Sequence, residues 1–101
     1  MSSVHVLQAF HVPAGTSIFD ECDALMNALV DMEDEAVRDA AVSADAERGV
    51  VLVEVTATGA DRTEAEIRAL VRIHDALTER VGVRVVDEIL EDRQVQDLAI
   101  A

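Results

Sequence analysis

The sequence has no Lys, no Trp and no Tyr, and it holds one Cys, one Pro, two Phe and four Gly. A single thiol, Cys22, excludes an internal disulfide and any metal site built from several cysteines. With Phe10 and Phe19 as the only aromatics, the core must come from Val, Leu, Ile, Ala and Met. No apolar run exceeds four residues, far short of the ~20 that a membrane-spanning helix needs. The start, Met1-Ser2-Ser3, lacks a positive stretch followed by an apolar run, so no signal peptide is expected and a cytoplasmic location is the default. No Asp-x-Asp-x-Asp-Gly calcium loop and no glycine-rich phosphate loop occurs, and neither a metal nor a cofactor is expected.

What is present is acid. Eight basic residues, all Arg, stand against 21 Asp and Glu, for a net charge of −13. Nucleic acid and anionic membranes attract basic patches, so neither is an expected partner. Charge alone favours a basic protein or cations. At 101 residues and 50% hydrophobic, the chain is one domain with one modest core, too apolar to be disordered. A core this small often gains stability by pairing with a second copy.

Val4 to Val12 alternates, with Val4, Val6, Gln8, Phe10 and Val12 on one face and His5, Leu7, Ala9 and His11 on the other. This predicts a strand near the centre of a sheet, stopped by Pro13-Ala14-Gly15. Ser17 then offers an N-cap to a helix running to about Asp31. Its stripe is Ile18, Cys22, Leu25, Leu29 and Met32, widened by Phe19, Met26 and Val30. Val37 to Ala44 has weak strand character and Val50 to Ala57 strong strand character, joined by a short connection ending in Gly49. A second helix is capped by Asp61 or Thr63, buries Ile67, Leu70, Val71, Leu77 and Val81, and stops at Gly82. Val83 to Val86 reads as the last strand.

The order βαββαβ predicts a four-stranded antiparallel sheet with both helices on one face, the ferredoxin-like α+β plan. The domain is placed at residues 1–86. Residues 87–101 form a tail, as a short helix, a swapped arm or an extra edge strand packed on the sheet or on a partner. The run Val42 to Val55, followed by Thr63-Glu64-Ala65 opening a helix, resembles small uncharacterised ferredoxin-like proteins of high-GC bacteria. The resemblance spans residues 4 to 86 and implies a fold without an activity. The ligand-binding ACT domains share the topology. Val12-Pro13-Ala14-Gly15 departs from their usual acidic residue and Pro-Gly pair.

This plan leaves one sheet face uncovered, with Leu7, Ala9, Val50, Leu52 and Val86 on it. That much apolar surface predicts a second subunit, or the tail, as its cover. The polar residues expected there, His5, His11, Glu54, Arg84 and Arg38, are the candidates for a ligand pocket or interface. His5 and His11 lie six residues apart, about 20 Å at the strand rise, and cannot hold one ion within one subunit. On the first helix Asp20, Asp23, Asp31 and Asp34 form a candidate docking face for a basic partner. Such like charges cost about 0.2–0.5 kcal/mol per pair, so local stability does not select them, and a solvated face is the plainer reading. Cys22 reads as a small core residue whose acidic neighbours raise its pKa, and His74 as a partly buried, satisfied side chain. No catalytic signature emerges. The preferred reading is a non-enzymatic homo-oligomeric interaction or ligand-binding module. A small enzyme with a pocket on the open face, and an acidic docking module, are the alternatives.

Overall fold

The structure is a computed structural model that describes residues 1–12, 17–81 and 90–97. The elements run β1 (Ser2–His11), α1 (Ile18–Asp31), β2 (Val37–Asp45), β3 (Val50–Gly59), α2 (Arg62–Val81) and β4 (Leu90–Asp97). The strands lie in the order β2-β3-β1-β4, and every pairing is antiparallel. This is the α+β, ferredoxin-like arrangement. β3 and β1 are central, as their apolar, β-branched composition requires.

Val83 to Val86, Gly82 and Arg84 lie outside the described residues, as does the division at residue 86. The segment that pairs with the free edge of β1 is Leu90–Asp97, within the stretch expected to be a tail. Its sequence, LEDRQVQD, lacks the alternation of a half-buried strand. Charged residues are what an edge strand carries to avoid pairing with other chains, so position explains what pattern concealed.

β2 carries a second departure. Val37 and Val42 differ in parity, so a regular strand would send them to opposite faces. The register instead shifts between Arg38 and Ala41, and Asp39 takes φ 56°. This bulge lets Val37 and Val42 both pack on the core. The Asp39 amide donates to Glu33 Oε1 at 3.1 Å.

Both helix starts are capped by side chains. Ser17 accepts from the Asp20 amide, and Asp61 Oδ1 accepts from the Glu64 amide at 2.8 Å. The core joins Val4, Val6, Phe10, Val51, Val53 and Val55 of the sheet to Leu25 and Leu29 of α1 and Ala65, Ala69, Ile73 and Leu77 of α2. The helix stripes are narrower than expected. Ile67 and Val71, expected to be buried, are 54% and 52% exposed, and Phe19 and Val30 are exposed as well. α2 instead presents Ala65, Ala69 and Ala76 with Ile73 and Leu77. Small side chains let the helix sit close to the sheet. Gly59 belongs to this contact, because a Cβ there would stand 2.6 Å from the Ala65 nitrogen. Gly49, at φ 68°, closes the β2–β3 turn, and its carbonyl accepts from the Val12 amide.

Candidate functional site

Strand alternation places Ser3, His5, Leu7, Ala9 and His11 of β1 on the face away from the helices. Beside them lie Thr58, Thr56, Glu54, Leu52 and Val50 of β3. Arg38, Ala41, Ser43 and Asp45 of β2 continue the same rows. The face is divided. Towards one end Ala9 and Val50 are buried and Leu7 and Leu52 half-buried, an apolar patch. Towards the other end the side chains are polar and joined in pairs.

His5 is the centre of the polar half. Its Nε2 lies 3.6 Å from Glu54 Oε1, and its Nδ1 lies 3.5 Å from Thr56 Oγ1. Glu54 occupies the neighbouring row, so imidazole and carboxylate meet diagonally across the strands. The next row joins Ser3 Oγ to Thr58 Oγ1 at 3.1 Å. Arg38 Nη1 donates to the same Thr58 Oγ1 at 2.9 Å and to the Glu35 carbonyl at 3.2 Å. The structure therefore brings together His5 and Glu54, and places Arg38 in the row of His5 through Thr56. His11 is exposed at the far end of β1, opposite Val50. Arg84 lies outside the described residues.

The four acids expected on α1 divide as well. Asp20, Asp23 and Asp31 are exposed on the helix. Asp34 lies beyond the helix end and is engaged within the fold. Its Oδ1 accepts from the amides of Val37 and Ala36, each at 2.9 Å. Its Oδ2 pairs with Arg72 Nη2 at 2.9 Å, and Arg72 Nη1 also donates to the Met32 carbonyl. The Val37 amide and the Arg72 guanidinium hold the Asp34 carboxyl below the ordinary carboxylate range. Asp34 thus ties the start of β2 and the end of α1 to α2.

Cys22 is partly buried and its thiol donates to the Val42 carbonyl at 3.4 Å. Burial, and then the charge of Asp23, push its pKa up, the opposite of a reactive thiol. His74 Nδ1 lies 3.4 Å from Thr78 Oγ1, one turn along α2. Among the described residues no group of three or more His, Cys, Asp or Glu is arranged to hold a metal ion. None of their helices is long and apolar enough to cross a membrane.

Two surface clefts lie at the end of the sheet where β2 begins. One, of about 450 Å³, is lined by Arg38, Thr58 and Arg68 among others. The other, of about 430 Å³, contains Ala36, Val37, Ile67, Arg68 and Val71. Neither includes His5 or Glu54. Sequence reasoning had not singled out Arg68, and it placed Ile67 and Val71 in the buried stripe of α2 and not at a cleft. Arg68 reaches the cleft because its Nη1 donates to the Thr58 carbonyl at 2.8 Å, a contact visible only once α2 is laid beside β3.

No protein-family model matches the chain, and no curated protein matches it. Solved structures do. One is a protein of Chloroflexus aurantiacus J-10-fl provisionally assigned as an antibiotic biosynthesis monooxygenase. It aligns with a TM-score of 0.59 and 14% identity, over 99% of this chain and 96% of that one. Another is a dimeric ferredoxin-like protein of unknown function from Thermobifida fusca YX. Its TM-score is 0.52 at 17% identity, over 98% of this chain and 92% of that one. At these identities the likeness is one of fold.

Proposed function

We propose that this chain is a homodimeric interaction or small-ligand module that pairs through the sheet face opposite its helices. The observation that carries the reading is Leu7 and Leu52, half-buried beside the buried Ala9 and Val50 on the sheet face away from the described helices. Charge supports the same face. Its paired positions on β1 to β3 hold Arg38 against Glu54 and Asp45, so 1 − 2 = −1 of the chain's −13. On these three strands two such acidic molecules meet with less repulsion than they would at the exposed Asp20, Asp23 and Asp31 of α1. Four strands about 4.8 Å apart and about 30 Å long give a footprint on the order of 600 Å² per subunit, near the low end for a stable interface. The Thermobifida fusca protein of the same fold is described as dimeric.

His5, Thr56 and Glu54 border the patch and would meet the partner or a small ligand held between the subunits. A small enzyme is the second reading, with His5 and Glu54, 3.6 Å apart, as its polar pair. An acidic docking surface for a basic protein would rest on Asp20, Asp23 and Asp31, with Asp34 already engaged by Arg72. Native mass spectrometry across the micromolar range tests the pairing. A species at 2 × 10.9 = 21.8 kDa is expected. A species that stays at 10.9 kDa at every concentration refutes it.

A further inference from the structure

In a chain of net charge −13, three of the arginines gather at the end of the sheet where β2 begins and α2 passes over it. Arg38 and Arg68 line one cleft, and Arg68 and Arg72 line its neighbour. The two clefts share Ala36 and Arg68, so they form one continuous groove. Its lining carries three arginines against Glu35 and Asp75, a balance of 3 − 2 = +1.

The two guanidiniums of the first cleft are held by the same residue. Arg38 Nη1 donates to Thr58 Oγ1 at 2.9 Å, and Arg68 Nη1 donates to the Thr58 carbonyl at 2.8 Å. Arg68 is steadied further by Glu64 at 2.5 Å. A guanidinium has five N–H donors, more than these contacts use, so both groups keep donors for a ligand. They are also preorganised, which lowers the ordering cost of binding. The second cleft is apolar where the first is charged. Ile67 and Val71, one helical turn apart, are each more than half exposed beside Ala36 and Val37. Neither is used by the core, and isoleucine and valine left in water at the mouth of a groove offer contact area to an apolar group.

We propose that this groove binds a small monocarboxylate with an apolar body, the carboxylate between Arg38 and Arg68 and the hydrocarbon over Ile67 and Val71. Carboxylate geometry suits paired guanidiniums. A single negative charge is the one that fits, because Glu64 and the nearby Asp39, 3.9 Å from Arg38 Nε, already offset part of the positive charge. Polyanions meet the repulsion of the remaining surface. The groove shares Arg38 and Thr58 with the polar end of the open sheet face, and its test reads ligand binding and not the oligomeric state.

The test is an amide chemical-shift titration with octanoate as the probe, with acetate and octan-1-ol as the charge-only and apolar-only controls. Octanoate should move the amides of Ala36, Arg68 and Val71, and each control should bind at least about tenfold more weakly, a difference of ~1.4 kcal/mol. Arg68→Gln and the surface pair Ile67→Ser with Val71→Ser should each weaken octanoate by about tenfold, with the remaining amide spectrum showing the fold retained. Should Arg68→Gln unfold, Arg38→Gln serves in its place. The inference is overturned if octanoate shifts nothing at millimolar concentration or shifts Leu7 and Leu52 instead. It is equally overturned if octan-1-ol matches octanoate, or if the folded arginine variants bind as the parent does.

Discussion

Replacing Leu52 by Glu should separate the subunits while leaving each one folded. Leu52 lies opposite Ala9 and beside Ser43 on the face away from the helices. It is half-buried in the isolated chain, so pairing would bury the rest of its side chain. Losing that remainder forfeits about 1 kcal/mol of apolar transfer energy. Placing an unpaired carboxylate in the interface costs a further 1–3 kcal/mol or so. In a two-fold dimer the change occurs twice, which brings the loss to about 4–8 kcal/mol and raises the dissociation constant by about three to six orders of magnitude. Sedimentation velocity between low and high micromolar concentration measures the change, and far-UV circular dichroism checks the fold. An unaltered dimer in Leu52→Glu would refute the reasoning about this face. A parent chain that is monomeric throughout would refute the pairing itself.

Three further outcomes follow from the fold. Ile73→Ala should cost about 2–5 kcal/mol, whereas Ile67→Ala, at a side chain 54% exposed, should stay within about 0.5 kcal/mol; urea midpoints compare the two, and equal losses would place the α2 stripe elsewhere. Gly59→Ala should destabilise by about 1–3 kcal/mol, read by the same midpoints, because its Cβ would stand 2.6 Å from the Ala65 nitrogen; a neutral result would mean that the start of α2 can shift. The Val37 amide and the Arg72 guanidinium hold the folded pKa of Asp34 below the ordinary carboxylate range, so its contribution is full above the unfolded carboxylate pKa and is lost as pH falls through the folded one. The parent should therefore lose stability more steeply than Asp34→Asn in urea melts on the acid side of pH 4 or so, and parallel pH profiles would deny the role of the Val37 and Arg72 contacts.

The parts of this fold that were legible in the sequence are those where one pattern had no rival. β1 alternates from Val4 to Val12, and the observed core takes Val4, Val6 and Phe10 while His5 and Leu7 face away. The caps Ser17 and Asp61 are used as caps, since short polar side chains before an apolar run have few other roles. The missed features had a competing or absent signal. α2 offers two apolar stripes, and the one with larger side chains, Ile67 and Val71, was preferred over the one built on Ala65, Ala69 and Ala76. Alanine carries little hydrophobic weight in a pattern, yet it allows the close approach that Gly59 requires. The bulge at Asp39 has a visible sign in the mismatched parity of Val37 and Val42. β4 had none, because Val95 is its only residue of strong strand preference.

The candidate site was legible in the same uneven way. His5 and Glu54 were placed on one face by alternation alone, and the structure sets them 3.6 Å apart. Arg38 was assigned to that face too, but its guanidinium turns to Thr58 and to the groove shared with Arg68. Nothing local predicts that contact, since Arg68 and Thr58 meet only through the packing of α2 on β3. Asp34 shows the converse. Helical spacing grouped it with Asp20, Asp23 and Asp31, but the helix ends at Asp31, and the carboxylate is engaged by the start of β2.

The most direct test of the pairing is an isotope-filtered nuclear Overhauser experiment on a sample mixed from labelled and unlabelled chains. The methyl groups of Leu7 and Leu52, which lie on neighbouring rows of one face, should show contacts to the unlabelled partner. Those of Leu25 and Leu29, on the buried side of α1 in the core, should show none. Intersubunit contacts confined to Phe19, Val30, Ile67 or Val71, or absent altogether at millimolar concentration, would contradict the account.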